Sequence, residues 1–255
     1  MLLAIDVENK NTIFGLFEDD KLLTSFSVKT DRQRTVEEIS LTIKLILMDR
    51  DMNLSKVDEV IVSTVVPELQ QTYDMLSKDI TKKPAKFISA GLKVGINIKC
   101  ENPKSVGSDR VIRSVAASNK YKENIIIISA SSITTIDFIS NKKEFMGGLI
   151  LPGIDLFQKS LYSESSKLPR VDIKASEKVV GNSTVNAMQN GIYHGYKNAV
   201  VGIIEDILKE YSLKKEDTKI IVTGSHAEYL KNNKFDFIVE KDLGLYGLNI
   251  INSLN

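Results

Sequence analysis

Several short stretches of this sequence place acids, hydroxyls, amides and glycines at spacings that could do chemistry. Near the start, the apolar run Leu2 to Ile5 ends in Asp6 and passes through Val7, Glu8, Asn9, Lys10 and Asn11 to Thr12. A carboxylate at the end of a buried strand can orient a cation beside phosphates, while the amides and hydroxyls of the following turn cradle phosphate oxygens. An aspartate there can equally well do no more than cap the turn. Gly107-Ser108-Asp109-Arg110 falls at the start of an expected helix. Asp109 is then an N-terminal acid, Arg110 can clamp a carboxylate or phosphate, and the helix amides favour an anion. An ordinary helix cap fits the same spacing. The glycines of Gly147-Gly148-Leu149-Ile150-Leu151-Pro152-Gly153 imply close backbone approach, by a ligand or by a neighbouring element. His194 and His226 lack the neighbours a metal site or catalytic triad needs, and both read as structural.

The elements that must position these residues occur as an internal echo. Apolar strand, small polar turn, strand, charged turn and strand run from Leu2 to Val28, and the same order runs from Ile125 to Ile150. Two similar meanders opening two halves suggest duplication, although β-hairpins in general look alike. Helices follow each meander. Thr35-Val36-Glu37-Glu38 has the form of a capping box, with Val36, Ile39, Ile43, Ile46 and Leu47 on one face behind it. A strand is expected over 57–66, and helices over 67–76, 106–120 and 184–211. A further strand over 219–222 leads to Thr223-Gly224-Ser225, and a final helix begins near Leu243. Strands alternating with helices in two halves give an α/β fold of mixed sheets covered by helices.

Composition narrows the classes further. The chain has 255 residues, 42% hydrophobic and 26% charged, with a net charge of +1, so no strong field calls for nucleic acid or an anionic membrane. Cys100 is the one cysteine, which excludes an internal disulfide and suits a reducing compartment. The opening residues read as a buried strand and not as a signal peptide, and no apolar run approaches the roughly 18 residues of a membrane span. The expectation is a soluble, cytoplasmic protein.

Read together, Asp6-Val7-x-Asn9-x-Asn11, Asn102-Pro103-x-x-Val106-Gly107-x-Asp109-Arg110, Gly147-Gly148-x-Ile150-x-Pro152-Gly153, Lys167-Leu168-Pro169 and Gly181-Asn182-Ser183-Thr184-x-x-Ala187-Met188-Gln189-x-Gly191 resemble type III pantothenate kinases. Their order and spacing agree, from Met1 to nearly the end of the chain. The resemblance implies an actin-like (ribonuclease H-like) duplicated fold, with halves over 1–118 and 119–255, the second carrying a dimer interface. It implies transfer of the γ-phosphoryl of ATP to the hydroxyl of pantothenate, the first step toward coenzyme A, with magnesium and a potassium or ammonium ion. By the same carry-over Asp109 is the general base. Gly107, Ser108, Arg110 and Thr184 hold pantothenate, and Cys100 stands where a tyrosine is expected near it. Asp6, Val7, Glu8, Asn9, Lys10, Asn11, Thr12 and, from the second meander, Ser132 lie against the nucleotide.

The departures from the family pattern concentrate on the nucleotide side. Glu8 and Lys10 replace glycine and threonine after Asp6. Like charges about 4 Å apart repel by about 4 kcal/mol near a protein surface, so the expectation is that Glu8 turns to solvent, with Lys10 able to supply a compensating cation. Ser129, Ser131 and Ser132 replace the aspartate, glycine and threonine of the second turn, which removes at Ser129 the carboxylate of the monovalent-cation site. A paired glycine near the adenine is reduced to Gly224 followed by Ser225. The expectation is a kinase impaired when alone, working as a homodimer or as a heteromer with a paralogous subunit. A non-catalytic subunit or regulatory accessory factor is the alternative, and a related kinase acting on another hydroxyl is a third reading.

Overall fold

The computed structural model describes residues 1–89, 91–232 and 234–255. They divide into two compact units: Met1–Ile96 with Cys100–Asn119 and Asp242–Asn255, and Asn97–Lys99 with Lys120–Lys241.

In the first unit, β1 (Leu2–Val7), β2 (Asn11–Glu18) and β3 (Lys21–Lys29) form an antiparallel meander, and β4 (Glu59–Thr64) and β5 (Lys86–Phe87) extend it in parallel. The sheet order is β3-β2-β1-β4-β5. β1 is buried along its whole length because both faces of the sheet are covered, which is why it reads as a continuous apolar run. Its odd residues Leu3, Ile5 and Val7 enter a core with Ile39, Ile43 and Leu47 of α1 (Val36–Asp49) and Leu76 of α2 (Gln70–Thr81). The expected capping box is present at α1, where the Glu38 amide donates to the Thr35 hydroxyl and the Glu38 carboxylate accepts from the Thr35 amide at 2.9 Å. Alternation along the strand sends Leu2, Ala4 and Asp6 to the opposite face. There α3 (Ser108–Lys120) and α6 (Leu243–Ser253) pack; a Cβ at Gly247 of α6 would lie 1.9 Å from the Ile112 carbonyl oxygen of α3.

The second unit repeats this arrangement. β7 (Asn124–Ala130), β8 (Ile133–Ile139) and β9 (Glu144–Pro152) form the meander, β10 (Thr218–Thr223) and β11 (Phe237–Val239) continue in parallel, and β6 (Asn97–Ile98) pairs with β9 at the far edge. The order β11-β10-β7-β8-β9 matches that of the first sheet. Ile126, Ile128, Ile136 and Phe138 pack with Met188, Ile192 and Tyr196 of α5 (Thr184–Glu210), and α4 (Ile154–Ser163) contributes Ile154.

The echo extends to single hydrogen bonds. Val7 opposes Thr12 across the first hairpin and Ala130 opposes Thr134 across the second. Each threonine is fully buried and meets a helix tyrosine: Tyr73 donates to Thr12 Oγ1 at 3.4 Å, and Tyr196 bonds Thr134 at 2.7 Å. The architecture is therefore α/β, with two mixed sheets of like topology covered by helices.

Candidate active site

In the first unit the strand alternation places Asp6 beneath α3 and α6, only 2% exposed. A side chain at Gly244, in the first turn of α6, would put its Cβ 2.9 Å from Asp6 Oδ2, so glycine makes room for the carboxylate. Oδ1 of Asp6 has no hydrogen-bond partner among the described residues. Burial pushes the Asp6 carboxyl up, to about 7; the Glu8 charge adds to this, Arg113 opposes it, and Asp109 raises it further.

Asp109 lies in the first turn of α3, and Arg113 follows it at i+4 on the same helix face. Nη1 of Arg113 donates to Asp109 Oδ2 at 2.8 Å, while Nη2 pairs with Glu8 Oε1. The Arg113 side chain is 6% exposed. Burial works against its charge, but Asp109, Glu8 and Asp6 outweigh that and hold the guanidinium protonated. Glu8 therefore does not turn to solvent. Its compensating cation is Arg113, which sequence reasoning passed over, although its i+4 spacing from Asp109 was a usable signal.

The neighbouring expected residues are held by backbone geometry. The Gly107 carbonyl accepts from the Arg110 and Val111 amides and opens α3. Ser108 Oγ accepts from Ser63 and donates to the Thr64 carbonyl, which ties the helix start to the end of β4. Val7 is buried, Asn9 and Lys10 are exposed in the turn, Asn11 begins β2, and Thr12 is engaged by Thr30 and Tyr73. Cys100 and Arg110 are half-buried.

In the second unit Ser129 is buried opposite Thr135 of β8 and Thr223 of β10. Thr135 and Asp137 share its face, and Thr135 Oγ1 lies 3.4 Å from Asp137 Oδ2, so a buried carboxylate survives on the neighbouring strand. The close approach at the glycines is made by this unit's own backbone. A Cβ at Gly148 would meet the Ile136 oxygen at 2.1 Å, one at Gly153 the Ser131 oxygen at 2.1 Å, and one at Gly224 (φ 94°) the Ala130 oxygen at 2.4 Å. The Ser132 backbone carbonyl accepts from the Gly153 amide at 3.1 Å. A cavity of about 690 Å³ opens beside Gly224 and Ser225, lined also by Phe235, Phe237 and Lys241. Thr184 is the exposed first residue of α5, behind the Ser183 cap. His194 bonds the Lys178 carbonyl, and His226 lies 3.4 Å from Asp155. No cluster of metal-ligating side chains occurs among the described residues.

The sequence model of the type III pantothenate kinases matches residues 2–206. The chain belongs to this family. It is 36% identical to a type III pantothenate kinase of Finegoldia magna, over all of this chain and 98% of the relative. It is 35% identical to one from Geobacter sp. (strain M21), over the full length of both. Among solved structures, a Campylobacter jejuni protein assigned to the Baf family of transcriptional activators superposes with a TM-score of 0.60 at 21% identity, over 98% of this chain and 97% of that one. Component A of (R)-2-hydroxyglutaryl-CoA dehydratase from Acidaminococcus fermentans gives 0.56 at 13% identity, over 98% and 96%. These structural likenesses carry the fold alone, the duplicated actin-like one. As a type III pantothenate kinase family member, the chain brings Asp6, Glu8 and Asp109 around Arg113 within its first unit, and holds Ser129 buried at a strand end in its second. Among the described residues no helix is long and apolar enough to cross a membrane.

Proposed function

We propose that this chain phosphorylates pantothenate at its hydroxyl with ATP. The observation that carries the reading is the arrangement in the first unit: a buried Asp6 with an unpartnered oxygen, and Asp109 fixed at the start of α3 by Arg113. Asp109 takes the proton of the substrate hydroxyl as general base. By the family resemblance Gly107, Ser108, Arg110, Thr184 and Cys100 are the residues assigned to pantothenate. By the family resemblance Asp6, the turn to Thr12 and Ser132 are assigned to the nucleotide, and within the second unit the cavity at Gly224 has the volume for a base. Phosphoryl transfer needs positioning and charge neutralisation above all, so these small residues suffice if the phosphate charge is balanced.

The donor set bears differently on the two cations the family uses. Magnesium is held largely by phosphate and water with few carboxylates, and Asp6 Oδ1 is a fitting single ligand. It would neutralise charge on the transferring phosphoryl. The monovalent ion has lost the Ser129 carboxylate, and Asp137 is the carboxylate left on that face.

The ion pair with Arg113 offsets part of the repulsion between Glu8 and phosphate, although Arg113 also serves Asp109. Ser129 still favours a second reading, in which a paralogous subunit completes the cation site. Exposed apolar side chains in the second unit, Ile150, Val179, Val180 and Val185, support association through 119–255. The test is phosphorylation of pantothenate by the purified chain with ATP, magnesium and potassium or ammonium, beside its mass by light scattering. Turnover by a homodimer upholds the proposal. No turnover from a folded dimer, restored by a co-purifying paralogue, establishes the second reading.

A further inference from the structure

The catalytic assignment of Asp109 leaves unexplained why an arginine is buried beside it and why the turn after Asp6 carries an acid. Both facts have one geometric answer. The two guanidinium arms of Arg113 reach different carboxylates: Nη1 binds Asp109 Oδ2 at 2.8 Å and Nη2 binds Glu8 Oε1. Arg113 thereby joins the first turn of α3 to the turn after β1. It also stands among carboxylates that would otherwise repel one another, since Asp6, Glu8 and Asp109 all act on it. Planar, forked and permanently charged, a guanidinium suits such double pairing better than an ammonium does.

The other oxygen of Asp109 is placed as well. A Cβ on Gly107 would lie 2.6 Å from Asp109 Oδ1, so glycine there makes room for the carboxylate in this rotamer. With Oδ2 taken by Arg113, Oδ1, seated beside Gly107, is the oxygen left to meet a hydroxyl. We infer that Arg113, anchored by Glu8, is a positioning residue that fixes the Asp109 carboxylate with Oδ1 toward the substrate hydroxyl. Glu8 and Arg113 then form one coupled device, in which neither residue serves without the other. This inference rests on the reading of Asp109 as the base.

The test compares the wild-type chain with Arg113→Lys and with the double variant Glu8→Gln/Arg113→Gln, which removes both charges together and so avoids stranding either one in the interior. Misplacing a catalytic group by about 1 Å costs about 10²-fold. The double variant is therefore expected to lose about that factor in kcat, with KM for pantothenate little changed, and Arg113→Lys to recover part of it. A folded double variant with wild-type kcat overturns the assignment, because a purely structural pair would alter stability and leave kcat intact. If the wild-type chain phosphorylates no pantothenate, the kinase reading fails by itself. The positioning is then judged from crystal structures. An Asp109 carboxylate that leaves its wild-type rotamer in the double variant supports it, and one that stays in place overturns it.

Discussion

Glu8 is ion-paired to Arg113 across 105 residues of sequence, and through Arg113 it is coupled to Asp109. The pairing reverses what Glu8 does to the turn. Taken alone, an acid after Asp6 repels phosphate, and its replacement by glycine promises tighter nucleotide binding. Paired, it balances a buried cation. Glu8→Gly is therefore expected to destabilise the protein by about 1–3 kcal/mol, the usual cost of stripping a partner from a buried hydrogen-bonding group. Arg113→Asn added to it should restore part of that loss, because contacting residues do not add independently. Urea unfolding of the single and double variants measures both effects.

Asp109→Asn should reduce phosphoryl transfer by about 10²–10⁴-fold, the range of a general base. It also leaves Arg113 with Glu8 as its closest carboxylate, so some stability should go with it. Kinetics at saturating pantothenate, beside a melting curve showing a folded variant, separate the two losses. A folded Asp109→Asn with wild-type turnover would refute the role of Asp109.

Local signals in the sequence translated well into structure. The Thr35 capping box, the extent of α5 and the repeated meander depend on near neighbours in the chain, and all are present. Four features were out of reach for reasons of distance or missing signal. α4 begins at Gly153 without a side-chain cap, so no start signal marked it. The glycines of 147–153 could announce close approach but not its source, which is the neighbouring strand and turn. The Glu8–Arg113 pair and the return of α6 to the first unit join residues remote in sequence, which periodicity does not encode.

Gly247→Ala tests how α6 supports the site. Its Cβ would meet the Ile112 oxygen at 1.9 Å, and backbone cannot yield as a flexible side chain does. Forcing α6 off α3 should cost about 1–3 kcal/mol, as overpacking does. Gly191→Ala, where nothing lies within 4 Å of the new Cβ, is the matched control. Thermal unfolding of both variants checks the contrast; equal losses would mean that the close helix contact is not what limits stability.

Ser129→Asp places a carboxylate at a buried position beside Thr135 and Thr223. A buried, unpaired acid is costly unless a cation accompanies it. The variant should therefore be less stable than wild type in sodium, regain stability in potassium or ammonium, and turn over faster in those salts. Wild type should show a weaker salt preference. Melting curves and initial rates in matched chloride salts decide the matter, and a variant indifferent to the cation would remove this turn from the cation site.

Asp6 sets the pH dependence. Its folded pKa of about 7 lies above the ordinary 3.8, because burial and the Glu8 charge favour the neutral form. The folded state thus holds a proton that the unfolded state releases, and between those two values stability falls as pH rises. The penalty is fully developed above about pH 7 and absent below about pH 4. Asp6→Asn, neutral at every pH, should therefore stabilise the protein more at pH 8 than at pH 5, by an amount on the order of a few kcal/mol. A nucleotide carrying magnesium needs the ionised carboxylate, so its affinity for the wild-type chain should increase as pH rises through about 7, with release of a proton on binding. Calorimetry in buffers of different ionisation enthalpy counts that proton. Binding without proton release at pH 6.5, or an Asp6→Asn stabilisation equal at both pH values, would show that Asp6 is already ionised in the folded chain.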